Sequence, residues 1–269
     1  MKTTLRNGAA IMALGLAAGA AAPLASQEPA PLRLDLNIPT LRLTVYEGDR
    51  VLRTYGVAVG ETKFPTPTGE FQVQTAEWNP WWRPPAREWA AKDKITPPGP
   101  TNPMGRVKLF FTNLYYIHGT PDEKSIGSAA SHGCVRMRNA DVIALARLLH
   151  ERGAAAPNLN IDNILKGRNT STARFRQTIP LVIRYDPIMV DGSEIRIYPD
   201  LYGRRAVHAE AVYQALISAG YDVGSVDRAE VRALLKRAES RKGIYKVAVA
   251  DVFSSAALLG SVSSGAAQR

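Results

Sequence analysis

The chain has 269 residues, enough for one large domain or for one medium domain with an appendage. Hydrophobic residues make up 45 % and charged residues 22 % of the sequence, which is typical of folded globular proteins and excludes disorder as the default state. The formal net charge of +10 favours an acidic polymer as partner. Nucleic acid is disfavoured, because the sequence has no helix-turn-helix signature, zinc spacing or aromatic RNA-binding motif.

The sequence begins with the pattern of a secretory signal, which we assign to residues 1–26. Lys2 and Arg6 supply positive charge, and residues 8–22 form an apolar run that is short for a membrane span. We therefore expect a cleaved signal and a mature protein that is periplasmic or otherwise extracytoplasmic, with no membrane attachment after cleavage. An uncleaved membrane anchor is the alternative interpretation of the same segment.

Alternating apolar and polar residues predict several β-strands in the first half of the chain. Residues 41–46 and 51–59 flank a polar turn and predict a hairpin. Residues 70–75 alternate in the same way, and residues 107–117 form an apolar, aromatic strand candidate that ends beside a histidine. These segments predict a mainly β protein.

A long irregular segment, residues 77–105, separates two of these strands. It is rich in proline and contains all four tryptophans of the chain. A loop of this length inside a compact domain is typical of a lid or a binding loop. Tryptophans that merely cover the edge of the core would give the same composition, so both interpretations stay open.

The second half predicts more helix. Residues 140–151 have an apolar face at helical spacing, with Asn139 in position to cap the helix. Residues 179–197 predict two strands joined by an Asp-Gly turn. Residues 206–219 and 227–241 predict two amphipathic helices, and the small residues that follow predict a flexible tail.

The single cysteine, Cys134, stands in a setting that suits a reactive thiol. It follows Gly133, and the backbone amides of these two residues could stabilise an oxyanion. Arg136, Arg138 and the start of the predicted helix place positive charge nearby. A lone cysteine is commonly just a buried hydrophobic residue. The prediction of a reactive thiol therefore rests on the residues around Cys134, not on the cysteine alone.

Two of the four histidines, His118 and His132, lie close to Cys134 in the sequence. His118 ends an apolar strand, which suits a base held on a rigid scaffold. Because Gly119 has no side chain, we expect a backbone carbonyl to orient the imidazole. His132 is expected to orient the loop or to contact substrate. The scattered histidines and single cysteine lack the spacing of a zinc site, so no metal is expected.

Two segments, residues 117–120 (Ile-His-Gly-Thr) and residues 131–139 (beginning Ser-His-Gly-Cys), resemble the signature of YkuD-type L,D-transpeptidases. Four upstream segments are also similar to that domain: residues 43–46, 57–60, 65–69 and 97–105. The resemblance covers about residues 33–200. It implies a YkuD-like β-sandwich catalytic domain over this range, mainly β with some α. The predicted helices then form a C-terminal extension with a flexible tail, residues 201–269.

The resemblance also implies an activity on peptidoglycan stem peptides. Cys134 would attack the carbonyl of the third stem residue and release D-alanine, with His118 as base and no metal or organic cofactor. The acyl group would then pass to an amine, which gives a 3-3 cross-link or attaches a lipoprotein to the wall. By position, Gly133 and Cys134 supply the oxyanion amides. Four residues match signature positions near the substrate: Ser131, His132, Arg136 and Gly119.

Arg136 departs from one version of the signature, which has asparagine two positions after the cysteine. Branches that attach lipoprotein to the wall carry arginine there, so the subfamily stays open. An L,D-carboxypeptidase or a hydrolase that releases wall-linked lipoprotein would use the same thioester with water as acceptor. A non-catalytic wall-binding module that kept the fold is a further alternative.

Overall fold

The computed structural model describes residues 30–153, 159–256 and 258–259. In chain order, its strands are β1 (Leu32–Asn37), β2 (Arg42–Glu47), β3 (Arg50–Gly56), β4 (Val59–Gly60), β5 (Gly69–Trp78), β6 (Val107–Thr112), β7 (Tyr115–Thr120), β8 (Ala129–Ser131), β9 (Val135–Arg138), β10 (Ser171–Arg184), β11 (Ile188–Asp191), β12 (Glu194–Ile197) and β13 (Tyr245–Ala248). The α-helices are α1 (Asn139–Gly153), α2 (Ile161–Lys166), α3 (Ala209–Ser218) and α4 (Arg228–Glu239). The mainly β class with a C-terminal helical part is confirmed.

Eight strands form the main sheet, in the order β3-β2-β1-β10-β5-β6-β7-β9. Neighbouring strands in this sheet are antiparallel, with two exceptions: β1 and β10 are parallel, and β7 and β9 are parallel. The short strands β4 and β8 form a separate parallel pair. The chain that leaves the end of β7 therefore crosses back to the end of the sheet at which β7 begins, and the candidate site lies where β9 starts.

Helix α1 covers the part of the sheet that contains β7. Its predicted apolar face is fully buried and consists of Val142, Leu145, Ala146 and Leu149. Burial of each large aliphatic side chain contributes about 1.5–3 kcal/mol. The helix therefore supports the sheet directly behind the candidate site, and the predicted helix is confirmed.

The structure confirms one predicted hairpin and divides one predicted strand into two. The hairpin of residues 41–46 and 51–59 is confirmed as β2 and β3. Residues 107–117 form two antiparallel strands rather than one, because the chain turns at Asn113 and Leu114. Leu114 has a positive φ of 66°, and its apolar side chain conceals the turn in the sequence.

The prediction that the Asn139 side chain caps α1 was wrong. Asn139 begins α1, but its side-chain oxygen accepts a hydrogen bond from Arg106 N at 2.9 Å. Its side-chain amide donates to Thr120 O at 3.0 Å. The side chain therefore ties the end of β7 to the segment that enters β6, instead of bonding to the amides of its own helix.

A second hydrophobic core lies in the C-terminal part of the chain. Strands β11, β12 and β13 form a three-stranded sheet that packs with α3 and α4. Its buried side chains include Ile188, Ile195, Val212, Leu216, Leu234 and Phe253. The two predicted helices are present, and Asp227 caps α4 by accepting a hydrogen bond from Ala229 N. The hairpin of β11 and β12 belongs to this core, although the sequence pattern placed it with the catalytic domain.

Two tyrosines connect the end of the main sheet to a loop beside the candidate site. The Tyr202 hydroxyl accepts a hydrogen bond from Thr66 N at 3.2 Å, and Tyr202 N donates to the Tyr185 hydroxyl at 2.7 Å. The Tyr185 hydroxyl donates to Asp200 at 2.5 Å, and the two tyrosine rings stack. The segment after β10 thus braces the loop that contains Thr66.

The predicted signal, residues 1–26, lies outside the described residues, as do residue 257 and residues 260–269 of the predicted tail. Among the helices that are described, none combines the length and the apolar character needed to cross a membrane.

Candidate active site

The parallel pairing of β7 and β9 brings the predicted nucleophile and base to one face of the main sheet. Ile117 pairs with Val135, so the same register places Tyr116 beside Cys134, which directly precedes β9. Side chains alternate between the two faces along a strand. Cys134 and His118 therefore lie on the face opposite to Ile117 and Val135, whose side chains are fully buried.

His118 is held by its neighbour. Its side chain is only 2 % exposed, and Nδ1 lies 2.6 Å from the carbonyl oxygen of Gly119. A carbonyl can only accept, so Nδ1 carries the proton and Nε2 is left to act as an acceptor. The predicted backbone-carbonyl partner is confirmed. Gly119 was expected near the substrate, but the structure buries it as the partner of His118.

The imidazole of His118 is neutral at physiological pH. Burial, together with the positive charges of Arg136 and Lys108, lowers its pKa to about 4, against the opposing effect of the Gly119 carbonyl. A neutral imidazole whose Nε2 is unprotonated can take a proton from a thiol.

The thiol of Cys134 is also neutral in this setting. The residue is partly exposed, and Sγ lies 3.7 Å from the backbone oxygen of Leu114. Surrounding protein atoms shield the sulfur from water and raise the pKa of the thiol. A hydrogen bond from the Tyr116 backbone and the charges of Arg136 and Lys108 offset part of this increase. Attack by Cys134 therefore requires a base.

Ser131 and Gly133 build the turn that presents Cys134. The Ser131 hydroxyl donates to Cys134 O at 2.5 Å and accepts from Gly133 N at 3.1 Å. The Ser131 side chain is buried, so it supports the turn rather than meeting substrate as expected. The Gly133 amide, expected as an oxyanion donor, is engaged by Ser131. In the described part of the chain, the Cys134 amide makes no hydrogen bond.

Glycine is required at position 133. Gly133 has a φ of +105°, which side chains rarely adopt, and an added Cβ would lie 2.6 Å from the ring of Tyr115. The residue allows a sharp turn between the buried Ser131 and the reactive Cys134, which closes the loop tightly.

Thr66 is a supporting residue that sequence reasoning missed. It is fully buried, and its hydroxyl donates to Gly133 O at 2.9 Å while accepting from Gly60 N at 2.8 Å. The two prolines that flank it indicated a rigid turn but gave no sign of its partner 67 residues away. Thr66 fixes the carbonyl that directly precedes Cys134.

His132 contacts the tryptophan-rich loop. Its ring stacks on Trp89 with centroids 4.0 Å apart, and the ring of Phe64 lies at a tilt to it with centroids 4.9 Å apart. Trp89 in turn stacks on Trp82. The loop of residues 77–105 therefore lies against the loop of the nucleophile, which supports its interpretation as part of a binding groove.

Asn102 gives the tryptophan-rich loop a defined shape. Its buried side-chain amide donates to the carbonyls of Pro80, Thr96 and Pro97, and its oxygen accepts from Met104 N. These bonds satisfy backbone groups that a long loop would otherwise leave unpaired. The loop thus has a defined conformation.

The two arginines after Cys134 have different surroundings. Arg136 is half-buried, and its positive charge lowers the pKa of both His118 and Cys134. Arg138 is exposed and lies 4.0 Å from the acidic groups of Glu123 and Asp141, so it neutralises surface charge instead.

Lys108 and Glu77 lie on the same face of the sheet as Cys134 and His118, which we call the dyad, and the sequence pattern did not reveal them. Lys108 pairs with His118 across β6 and β7, and Glu77 pairs with Lys108 across β5 and β6. Their charged groups are 3.5 Å apart. Across the residues that the structure describes, no group of three or more metal-ligating side chains occurs.

The raised pKa of the thiol predicts how Cys134 is alkylated. The rate of reaction with iodoacetamide should keep increasing with pH past 9.0, the usual value for the thiol. The rate is measured by intact mass from about pH 5 to about pH 10, with the urea-unfolded chain as reference thiol. A plateau at or below neutral pH would instead indicate a preformed thiolate–imidazolium pair.

The role of Thr66 predicts a loss of stability on removing its hydroxyl. Thr66→Val leaves Gly60 N and Gly133 O without their partner, so we expect the free energy of unfolding to fall by about 1–3 kcal/mol. Thr66→Ser keeps the hydroxyl and serves as the matched variant in urea unfolding. Equal stability of the two variants would contradict the role given to the hydroxyl.

Comparison with known proteins defines the family. Residues 31–170, just over half of the chain, match the model of the YkuD L,D-transpeptidase catalytic domain. The protein named as L,D-transpeptidase YkuD in Bacillus licheniformis is 37 % identical over 122 residues, 45 % of this chain and 61 % of that protein. The probable L,D-transpeptidase YbiS of Escherichia coli K12 is 34 % identical over 116 residues, 40 % of this chain and 38 % of YbiS.

The chain thus spans less than two thirds of the length of these relatives. A solved structure of an L,D-transpeptidase from Mycobacterium smegmatis aligns over 58 % of this chain and 59 % of its own, with a TM-score of 0.40 and 16 % identity. The match of the family model to residues 31–170 includes β7, the turn of Cys134 and β9. This chain belongs to the YkuD family of L,D-transpeptidase catalytic domains.

Proposed function

We propose that this protein is a peptidoglycan L,D-transpeptidase in which Cys134 is the nucleophile and His118 the base. The observation that carries the proposal is the placement of a neutral, buried His118, oriented by Gly119 O, on the same sheet face as the thiol of Cys134. Membership of the family supports the reaction class. The substrate follows from that class, with the stem peptides of the wall as donors.

In the first half-reaction, Nε2 of His118 accepts the thiol proton as Sγ of Cys134 attacks the carbonyl carbon of the third stem residue. The bond from that carbon to the nitrogen of D-alanine breaks, and the imidazolium of His118 donates its proton to the leaving amine. The product is a thioester between Cys134 and the tripeptide. An amine then attacks the thioester, His118 takes the proton of the amine, and the thiol of Cys134 is restored.

The oxyanion of the tetrahedral intermediate needs a hydrogen-bond donor close to Sγ. We assign this role to the Cys134 amide, which has no partner within the described residues. The Gly133 amide is engaged by Ser131, so its contribution is to shape the turn. The charge of Arg136 suits the terminal carboxylate of the stem peptide, and His132 forms part of the groove wall with Trp89.

We place this reaction outside the cytoplasm, since the substrate is in the wall and the start of the sequence has a signal pattern. The acceptor is an amine of a second stem peptide or of a wall-attached lipoprotein. If water is the acceptor, the same thioester gives an L,D-carboxypeptidase or a lipoprotein-releasing hydrolase.

Incubation of the protein with a purified tetrapeptide stem tests the acyl-transfer step. We expect intact mass to show a tripeptide adduct on Cys134 with release of free D-alanine. Cys134→Ala should form no adduct. His118→Gln should slow adduct formation by about 10²–10⁴-fold, the usual contribution of a positioned base. Release measured with and without an added amine then distinguishes transpeptidase from hydrolase. A folded protein that forms no adduct and releases no D-alanine would overturn the proposal.

Trp89 tests the role of the tryptophan-rich loop. Trp89→Ala removes the ring that stacks on His132, so we expect the KM for the donor peptide to rise by about tenfold, which corresponds to about 1.4 kcal/mol of binding. The rate of the chemical step should change little.

Glu88→Ala is the matched control, because Glu88 is exposed in the same turn. An unchanged KM in a folded Trp89→Ala variant would count against a groove wall at this position.

A further inference from the structure

The C-terminal core carries a concentration of positive charge that the acyl-transfer steps do not use. Six cationic side chains and only two glutamates occur within residues 228–242, on α4 and in the turn that follows it. All six cations are exposed to solvent. We call these six residues the basic cluster: Arg228, Arg232, Lys236, Arg237, Arg241 and Lys242.

Helix α4 directs its part of the basic cluster away from the second core. Its buried residues are Val231, Leu234 and Ala238. Arg228, Arg232 and Lys236 follow one another at four-residue spacing, so their side chains are neighbours along the exposed side of the helix. A helix rises about 1.5 Å per residue, so this row of cations is about 12 Å long.

The cations of the basic cluster have no acidic partners. None of them forms an ion pair with another residue that the structure describes. By contrast, Arg196 in the same core pairs with both Asp191 and Glu194. Like charges four residues apart on a helix repel each other, and Arg228 begins α4 at the positive end of the helix dipole. The arrangement therefore destabilises the helix by itself, and a bound polyanion would relieve the repulsion.

We propose that the basic cluster binds the free carboxylates of stem peptides along peptidoglycan and holds the protein on this polymer, apart from the site of acyl transfer. This inference rests on the proposed function, which makes the wall the substrate. Stem peptides repeat along the polymer, so a row of cations contacts several carboxylates at once. Only residues 185–187 separate β10 of the main sheet from β11 of the second core. A polymer held on α4 therefore raises the effective concentration of neighbouring stem peptides at Cys134.

The surroundings of the basic cluster favour a wall polymer over a lipid surface. A helix that lies on a membrane inserts an apolar face among the lipids. The apolar face of α4 is already buried in the second core, and the exposed residues between its cations include Ala229 and Ala233. Ile244 is exposed beyond the cluster, but single exposed apolar side chains are common on protein surfaces. Binding through the cluster is therefore electrostatic, and added salt should weaken it.

Sedimentation of the protein with purified, protein-free sacculi tests the inference. The cluster variant combines Arg232→Gln, Lys236→Gln and Arg237→Gln. We expect it to bind sacculi about tenfold more weakly than the unmodified protein at low salt, as the loss of three exposed charge pairs implies. Converting the carboxylates of the sacculi to amides should weaken binding of the unmodified protein to a similar degree.

The matched variant removes the same charge from other parts of the surface. It combines Arg42→Gln, Arg53→Gln and Lys166→Gln, which replace exposed cations on β2, β3 and α2. We expect it to bind sacculi about as tightly as the unmodified protein. Circular dichroism establishes that both variants are folded.

Release of D-alanine separates docking from catalysis. From a soluble tetrapeptide, the unmodified protein and both variants should release D-alanine at equal rates, because the replaced residues lie outside the acyl-transfer site. From intact sacculi that are not saturated with protein, release by the cluster variant should be slower, by about the factor by which its binding falls.

Equal binding of sacculi by the cluster variant and the matched variant would overturn the inference, since net charge alone would then explain the binding. Binding that is insensitive to salt and to amidation of the sacculi would also overturn it. Vesicles of phosphatidylglycerol serve as the alternative surface. If the cluster variant loses binding to vesicles but not to sacculi, the cluster is a lipid-binding surface and the inference is wrong. If binding to sacculi depends on the cluster but no D-alanine is released from either substrate, the proposed function fails while the binding site stands.

Discussion

The parallel pairing of β7 with β9 is the constraint on which the candidate site depends. Parallel neighbours require a crossover between them, and here the crossover carries the turn that ends in Cys134. The pairing fixes which residues share a face, so it places the thiol and His118 together without any direct bond between them. Three contacts then hold the turn. The Ser131 hydroxyl bonds to Cys134 O, the Thr66 hydroxyl bonds to Gly133 O, and the ring of Trp89 stacks on His132.

The charge state of Cys134 and His118 follows from the burial of both groups in the site. Burial acts against ionisation of both groups, raising the pKa of the Cys134 thiol and lowering that of the His118 imidazole. The positive charges of Lys108 and Arg136 favour the thiolate but disfavour the imidazolium. The resting site is therefore neutral, and in the proposed mechanism the proton moves from Cys134 to His118 as the sulfur attacks the carbonyl carbon.

Local patterns in the sequence were sufficient for the parts of the site that are contiguous in the chain. Cys134, His118 and its backbone-carbonyl partner were predicted from residues within one short stretch, and the apolar face of α1 from its helical spacing. Ser131 and Gly133 were placed correctly in the turn, but their hydrogen bonds to each other could not be read from residue types. We had predicted that both residues contact substrate, whereas in the structure they hydrogen-bond to each other within the turn.

The remaining parts depend on partners that are distant in the sequence. Thr66 contacts Gly133 across 67 residues, and Glu77 meets Lys108 only through the pairing of β5 with β6. Asn139 had the composition of a helix cap, but tertiary contacts used its side chain elsewhere. The second core was hidden for the same reason, because β13 joins β12 only after two intervening helices.

The position of β10 has a consequence for how the chain can be divided. The segment that matches the family model ends at residue 170, one residue before β10 begins, yet β10 lies between β1 and β5 in the sheet. A fragment ending there would lose the strand that joins the two halves and would expose two long edges. The smallest piece that keeps the sheet continuous ends after Arg184, and the smallest that also keeps the tyrosine brace ends after Tyr202.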